Sequence, residues 1–356
     1  MELLILDTNL QSVDVLDTFK SLIWTDRFLE CGDFEIYTAA NAAILSTVLQ
    51  DYYLWLDGSD HVMIVEDRKI TSDEEDGAYL TITGRSLESI LERRIIWAQT
   101  ILDGNFQLGI QQLLNENIIS PTITNRQITN FIFEESFDAA IAAMTVKAQF
   151  EVGDNLYESI QAMCAAKNVG FKVTLNAYNQ FVFKLYLGQD RSYDQTTNSY
   201  VVFSPEFDNL SNSEYSETST TLKTVSLVAG EGEGSDRTIT SVTTSDGGGN
   251  GLSRREMFTD ASGVSTTTDS GTLSTEDYVA QLAQKGAEDL SLNTFTTTFD
   301  GKADVDTMYK YGTDFFMGDI VQIVNEYGIE SKTRVVEVIY SQSTDSTDVY
   351  PTFAKV

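Results

Sequence analysis

The segments Asp51-Tyr52-Tyr53-Leu54-Trp55-Leu56 and Asp319-Ile320-Val321-Gln322-Ile323-Val324 share one pattern, an acid followed by an apolar run of strand length. Each run leads through a polar turn into a second strand, which contains Val65-Glu66-Asp67 in the first case and Val336-Glu337-Val338 in the second. Glu66 and Tyr79 have the same separation as Glu337 and Tyr350, across acidic loops, and each tyrosine opens a final strand. The turn is three residues longer in the second copy. A unit that recurs within one chain predicts two copies of one supersecondary fold.

The elements around the repeat are mostly strands. Phe34-Glu35-Ile36-Tyr37 and Tyr53-Leu54-Trp55-Leu56 are strand-like, the second closed by the Asp57-Gly58 turn signal. Leu80-Thr81-Ile82-Thr83 alternates with period two, as a half-buried strand does. Asp73 to Gly77 is a solvated loop tip. From residue 104 the period becomes helical, with Phe106, Ile110, Leu113, Leu114 and Asn117 on one face and Ile118 following. Asp154-Asn155 caps a second helix carrying Leu156, Ile160, Met163 and Cys164, ended by Gly170. A hairpin follows, 171–175 and 181–185, turned at Asn176 to Gln180. Residues 200–245 return to strands, including Leu222 to Val228, and a Gly-rich loop runs from Asp246 to Gly251. Thr275 to Leu292 is predicted helical with Tyr278, Leu282 and Leu290 in the core, and Phe295 to Val356 is strand again. Long Thr/Ser runs, 16 Tyr and 19 Phe fit this β-rich reading.

With 356 residues, the chain exceeds the about 250–300 at which single hydrophobic cores stop growing. Hydrophobic residues at 42% and only three prolines argue against a disordered or linker-rich chain. Acids outnumber Lys and Arg by 54 to 23, a formal charge of −31. A protein that neutralises phosphates needs a basic face, so specific binding to duplex DNA is disfavoured. An acidic wall instead repels a polyanion over about a Debye length, roughly 8 Å at physiological salt. The N-terminus lacks the cationic region of a signal peptide, and no run approaches the roughly 20 apolar residues of a membrane span, so synthesis in a cytoplasm and no membrane anchor are expected. Cys31 and Cys164 have neither metal nor redox spacing and are expected to be reduced and structural.

Candidates for chemistry are sparse. His61 is the only histidine, hence the only base for a Ser–His or Cys–His device, and it is expected to be a surface or edge residue at a strand start. Zinc-ligand spacing is missing. With 54 acids, a carboxylate pair for glycoside cleavage can be nominated anywhere, which makes that signal worthless. Gly230-Glu231-Gly232-Glu233-Gly234 follows a strand as a phosphate loop does, yet it lacks the Lys-Ser/Thr of a P-loop, and its glutamates repel phosphate. It is expected to be a tight or flexible structural loop. Ser253-Arg254-Arg255-Glu256 is a small basic island, expected to be an intersubunit ion pair or a surface patch. No catalytic, cofactor-binding or metal-binding residue is assigned, and no cofactor is expected.

With these motifs in view, the chain resembles siphophage tail-hub proteins over essentially its full length, a family that also resembles contractile-tail baseplate hubs and type VI secretion spikes. The resemblance is carried by Ser21 to Arg27 with Gly32-Asp33-Phe34-Glu35, by Thr83 to Leu91, by Val228 to Gly234, by Arg254-Arg255-Glu256, and by Gly318 to Val321 ahead of Arg334-Val335-Val336-Glu337. It implies a homotrimer at the tail tip, with two similar antiparallel β-barrels per subunit forming a pseudo-sixfold ring beneath a sixfold tail tube or distal tail protein. Further partners implied are the tape measure protein, tail fibres or a receptor-binding protein, while genomic DNA passes without specific binding. Many relatives continue into a cell-wall hydrolase. This chain stops at Val356, after the second copy, which leaves a non-enzymatic virion component as the expectation.

The resulting expectation is a mostly β fold with α/β insertions. The first barrel is placed at 1–103, a mixed insertion at 104–202, the second barrel at 203–245 and 294–356, and a loop and helix insertion at 246–293. The expected role is a structural hub that lines or closes the distal channel and anchors tip proteins. Its rivals are a tail-associated peptidoglycan hydrolase and the hub of a contractile injection particle.

Overall fold

The computed structural model describes residues 1–73, 77–268, 271–303 and 308–355. The acidic run beginning at Asp73 therefore continues outside the described residues. The fold is mostly β, with 41% strand and 22% helix. The chain forms two compact units. One comprises Met1–Ser89, Phe171–Ser216 and Thr297–Val356; the other comprises Ile90–Gly170 and Glu217–Thr296.

Among the described residues, the first unit is organised by a thirteen-stranded sheet. Its hydrogen-bonded order is Leu210–Thr218, Thr296–Ala303, Thr347–Lys355, Glu330–Ser343, Ser21–Arg27, Asp33–Ala39, Gly77–Ser86, Val62–Asp73, Tyr53–Leu56, Leu3–Leu6 and Ser12–Leu16. Ile320–Val324 pairs with the 330–343 strand and, in parallel, with the short strand Val202–Phe203. Among the described strands this order does not return on itself. The two copies thus share one sheet where two separate barrels were expected.

The repeat is present, and its register differs from the sequence alignment by one residue. The hairpin of 62–73 with 77–86 bulges between Val65 and Asp67, and that of 330–343 with 347–355 bulges between Val335 and Glu337. Glu66 therefore matches Val336, where the sequence alignment paired it with Glu337. The backbone bonds agree: Asp51 N–H donates to Val65 O and Val65 N–H to Tyr52 O, as Gly318 N–H donates to Val335 O and Val335 N–H to Asp319 O. Asp51 and Gly318 both take positive φ, 63° and 88°. A one-residue slip turns every side chain of a strand to the other face. The corrected register sets buried Leu54 and Leu56 against buried Val321 and Ile323, where the acid-led alignment had set Leu54 against Gln322. Asp51 is exposed whereas Asp319 is buried and holds Arg191, so the two acids do not occupy equivalent positions.

Alternation builds the core of this unit. Leu22 and Trp24 point inward from 21–27, and Phe34 and Ile36 from 33–39, all essentially buried. Phe203 packs edge-on against Phe315 and tilted against Phe353, with both ring centroids at 5.4 Å. Each such aromatic contributes roughly 2–3 kcal/mol of burial. Opposite the first bulge, a Cβ on Gly84 would lie 1.8 Å from Ile64 O, so only glycine lets the strands approach there.

The second unit is mixed. The helix Thr275–Ser291 is capped by Ser274, whose hydroxyl accepts from Asp277 N–H, and it buries Tyr278, Leu282 and Leu290 as expected. It covers a three-stranded sheet in which Val225–Ala229 lies between antiparallel Ile239–Thr243 and parallel Glu256–Asp260. These strands pair with one another and the helix, which is why 217–245 falls in this unit and not in a second barrel. Likewise the hairpin Gly170–Leu175 and Phe181–Tyr186 falls almost wholly in the first unit, outside the expected 104–202 insertion. The helix Phe106–Leu114 is capped by Asn105 and runs into a π-helical turn, Asn115–Ile119. Leu156–Lys167 is capped by Asn155, as expected, but it ends on Asn168 at φ 56°. Asparagine tolerates the left-handed conformation, and Gly170 is left to open the next strand.

Candidate functional site

His61 is buried, not at the surface. It follows the Asp57-Gly58 turn, where Ser59 Oγ accepts the His61 backbone N–H at 3.0 Å and donates to Asp26 Oδ2 at 2.9 Å. Trp24 Nε1, two residues along the same strand face as Asp26, donates to Asp26 Oδ1 at 3.0 Å. His61 Nδ1 lies 3.4 Å from Glu88 Oε1, and Glu88 also accepts the Val173 N–H at 2.7 Å. The turn, the 21–27 strand, the 3-10 helix Leu87–Arg93 and the 170–175 strand thus meet on three buried ionisable side chains.

The electrostatics follow from that burial. Desolvation alone would lower the His61 pKa, but the Asp26 and Glu88 carboxylates outweigh it and push it up to about 9. Burial works to raise Glu88, yet the imidazolium beside it holds its carboxyl below the ordinary value. For Asp26 burial prevails and its pKa is raised. The cluster borders a pocket of about 430 Å³ that also meets Asp60, Lys172, Tyr186, Tyr311 and Tyr340. Lys172 Nζ is tied to Asp60 at 2.7 Å, and burial drives the Tyr186 hydroxyl well above its usual pKa. Ser59 turns its proton to Asp26 and its acceptor to a backbone amide, so the geometry is that of a charged structural clamp.

Asp26 and Glu88 escaped the sequence reading, although both lie within motifs that carry the family resemblance. A signal was available for Asp26: it continues the inward parity of Leu22 and Trp24. Asp319, at the head of the second copy, is buried and takes Arg191 Nε at 2.7 Å together with the N–H groups of Gln189 and Phe316.

The glycine loop is explained by packing. A Cβ on Gly230 would lie 2.3 Å from the Tyr278 hydroxyl, which accepts the Glu231 N–H at 2.6 Å. The Glu231 carboxylate is turned away, accepting from Thr266 N–H and Oγ1 and from Ser265 Oγ, so it closes the loop on the unit's own chain. In the basic island, Arg254 pairs locally with Glu256 at 2.6 Å and Arg255 donates to Ser219. Both contacts are within the chain, where an intersubunit pair had been one expectation. Cys31 and Cys164 are buried and not joined in a disulfide, and burial pushes the Cys164 thiol pKa up. Among the described residues no group of His, Cys, Asp and Glu could hold a metal ion, and no helix is long and apolar enough to cross a membrane.

Comparison with known proteins gives a consistent picture. The family model described as Siphovirus ReqiPepy6 Gp37-like protein matches residues 2–354. Among solved structures, a tail protein from Neisseria meningitidis MC58 shares the fold at TM-score 0.61 and 14% identity, covering 99% of this chain and 96% of that one. The 43 kDa tail protein of prophage MuSo2 from Shewanella oneidensis has TM-score 0.59 and 13% identity, covering 100% and 98%. Prophage tail protein gp18 from Listeria monocytogenes EGD-e has TM-score 0.57 and 13% identity, covering 99% and 94%. No curated protein matches the sequence.

Proposed function

This chain belongs to the Siphovirus ReqiPepy6 Gp37-like family of phage tail proteins, and from that premise we propose that it is the structural, non-enzymatic hub at the distal tip of a phage tail. The observation that carries this reading is the tandem repeat inside one sheet. The strands 210–218, 296–303, 347–355 and 330–343 follow one another in the same spatial order as 21–27, 33–39, 77–86 and 62–73, and the two sets are joined side by side. A protein with two equivalent copies makes a ring of six near-equivalent units from three subunits, and closed cyclic symmetry is the usual solution for such assemblies. Such a ring fits a threefold tip to a sixfold tail tube or distal tail protein. Each copy then contributes its share of a barrel around the axis. The hub lines or closes the DNA path and anchors the tape measure protein, fibres or a receptor-binding protein.

The test is cryo-EM of the tail tip. The expected result is three subunits whose two repeats superpose about a pseudo-sixfold axis. A ring of six identical subunits would overturn the proposal.

A further inference from the structure

The second unit carries a pocket of its own, about 350 Å³ in volume, formed at the π-helical turn Asn115–Ile119. Its wall includes Trp97, Asn115, Glu116, Ser120, Thr122 and Arg126, all within that unit. The volume falls in the range of about 300–1,000 Å³ usual for small-molecule sites. Trp97 is 55% exposed, whereas Trp24 is fully buried. A large indole bordering a pocket offers a flat apolar surface on which a ligand can stack.

The ring is held in place. The Arg126 guanidinium lies over one face, 4.8 Å from the ring centroid. Arg126 Nη2 donates to Ile95 O at 2.6 Å and to Asn117 Oδ1 at 3.2 Å, so the cation is fixed as well. Asn117 is 2% exposed and donates to Leu113 O at 3.0 Å, which ties the stack to the π-helical turn. Such turns recur at functional sites. Glu116, in the same turn, accepts Thr100 Oγ1 at 2.5 Å and Gln112 Nε2 at 2.8 Å. An ionised carboxylate has about four acceptor sites, so these two donors leave acceptors over for a ligand. The Arg126 guanidinium likewise has donors beyond those it spends on Ile95 and Asn117.

We infer that this pocket is a binding subsite for a neutral saccharide of gluco configuration, stacked on Trp97. A β-gluco pyranose carries its ring hydroxyls equatorially, so its faces expose only C–H groups and its rim is a belt of hydroxyls. The C–H face packs on the indole. The rim meets groups that give and take hydrogen bonds: the Glu116 carboxylate, the Asn115 amide, the Arg126 guanidinium and the Ser120 and Thr122 hydroxyls. The charges on the wall, Glu116 and Arg126, are opposite, so neither a cation nor an anion is selected. Among the described residues Glu116 is the one carboxylate of the wall, and glycoside cleavage takes a pair, so the subsite holds a sugar without cutting it. The site lies within one unit of one chain and does not rest on the hub reading.

The test uses the full-length chain labelled with fluorotryptophan, whose three tryptophans give separate fluorine NMR signals, with that of Trp97 assigned through Trp97→Phe. Cellotriose is expected to shift the Trp97 signal saturably, with a dissociation constant on the order of 1 mM, and to leave buried Trp24 unmoved. Trp97→Ala alters an exposed position, so it is expected to keep the wild-type thermal midpoint while affinity for cellotriose, read by saturation transfer to the sugar, falls about tenfold. Pelleting with insoluble cellulose separates two sources of the same ring. Co-pelleting that Trp97→Ala abolishes supports a sugar within a polymer, and cellotriose binding without it supports a free oligosaccharide. A Trp97 signal that stays put at about 10 mM cellotriose overturns the subsite. So does undiminished binding by Trp97→Ala, or an equal shift by sorbitol, which has the hydroxyls but no ring. A shift by thymidine monophosphate and not by cellotriose overturns the saccharide and assigns the indole to an anionic base.

Discussion

His61 and Glu88 face each other at 3.4 Å with both side chains buried, and Asp26 lies in the same cluster. Removing one member of a buried charge set strands the others, a loss of about 3–5 kcal/mol. His61→Gln is therefore expected to destabilise the first unit by about that amount at pH 6.5, measured by chemical denaturation.

The same cluster sets an alkaline limit. His61 titrates at about 9 in the folded chain against 6.5 unfolded, so its stabilisation is complete below 6.5 and is lost as the pH rises to about 9. The wild type is expected to lose about 3 kcal/mol over that window, and His61→Gln to show little slope there. Glu88, held low, gives stability that fades only in acid, as the pH drops below 4.5. Asp26, raised by burial, opposes it, because ionising that carboxyl costs more in the folded chain. Parallel denaturation series from pH 6 to 10 on both proteins decide the point, and equal slopes would refute the assignment to His61.

Gly230→Ala puts a methyl group against the Tyr278 hydroxyl and Leu282, and overpacking of this kind costs about 1–3 kcal/mol. Tyr278→Phe loses its hydrogen bond to the Glu231 N–H, about 1 kcal/mol. The two changes should be less than additive, since the phenylalanine removes the nearest clash. A double-mutant cycle by thermal denaturation reads this coupling directly, whereas a nucleotide-loop role would instead appear as saturable ATP binding abolished by Gly232→Ala.

Purified protein is expected to leave cell walls intact in a zymogram. Ser59 spends its hydroxyl on Asp26 and the His61 amide, and the histidine is committed to two carboxylates. Clearing that disappears with His61→Gln, in a variant shown to be folded, would reverse this expectation.

In an assembled tip the −31 charge is expected to concentrate on the channel wall. Basic side chains there would exchange counterions with passing DNA and hold it, whereas carboxylates keep it in solvent. Mapping the surface potential inside and outside the ring tests this. An inner wall no more negative than the outer one would leave solubility as the reason for the charge.

What the sequence determined by itself was local. The strand-like runs at 34–37 and 53–56 and the period-two alternation at 80–83 all fall inside observed strands, 33–39, 53–56 and 77–86. Asn155 and the 275–292 periodicity marked helix starts, Asn176 to Gln180 a turn, and the duplicated hairpin was visible as a pattern. These depend on neighbours a few residues apart, so composition and spacing carry them. Tertiary structure decided the rest. Which strand lies beside which depends on contacts across hundreds of residues, such as Arg27 with Glu337 at 2.8 Å. The register of the repeat turned on bulges at Glu66 and Val336 that no alternation announces. His61 reads as a surface residue until Asp26 and Glu88, far away in the chain, close over it. A buried charge is tolerable only when its partners arrive with it, and the pairing of distant strands is what delivers them.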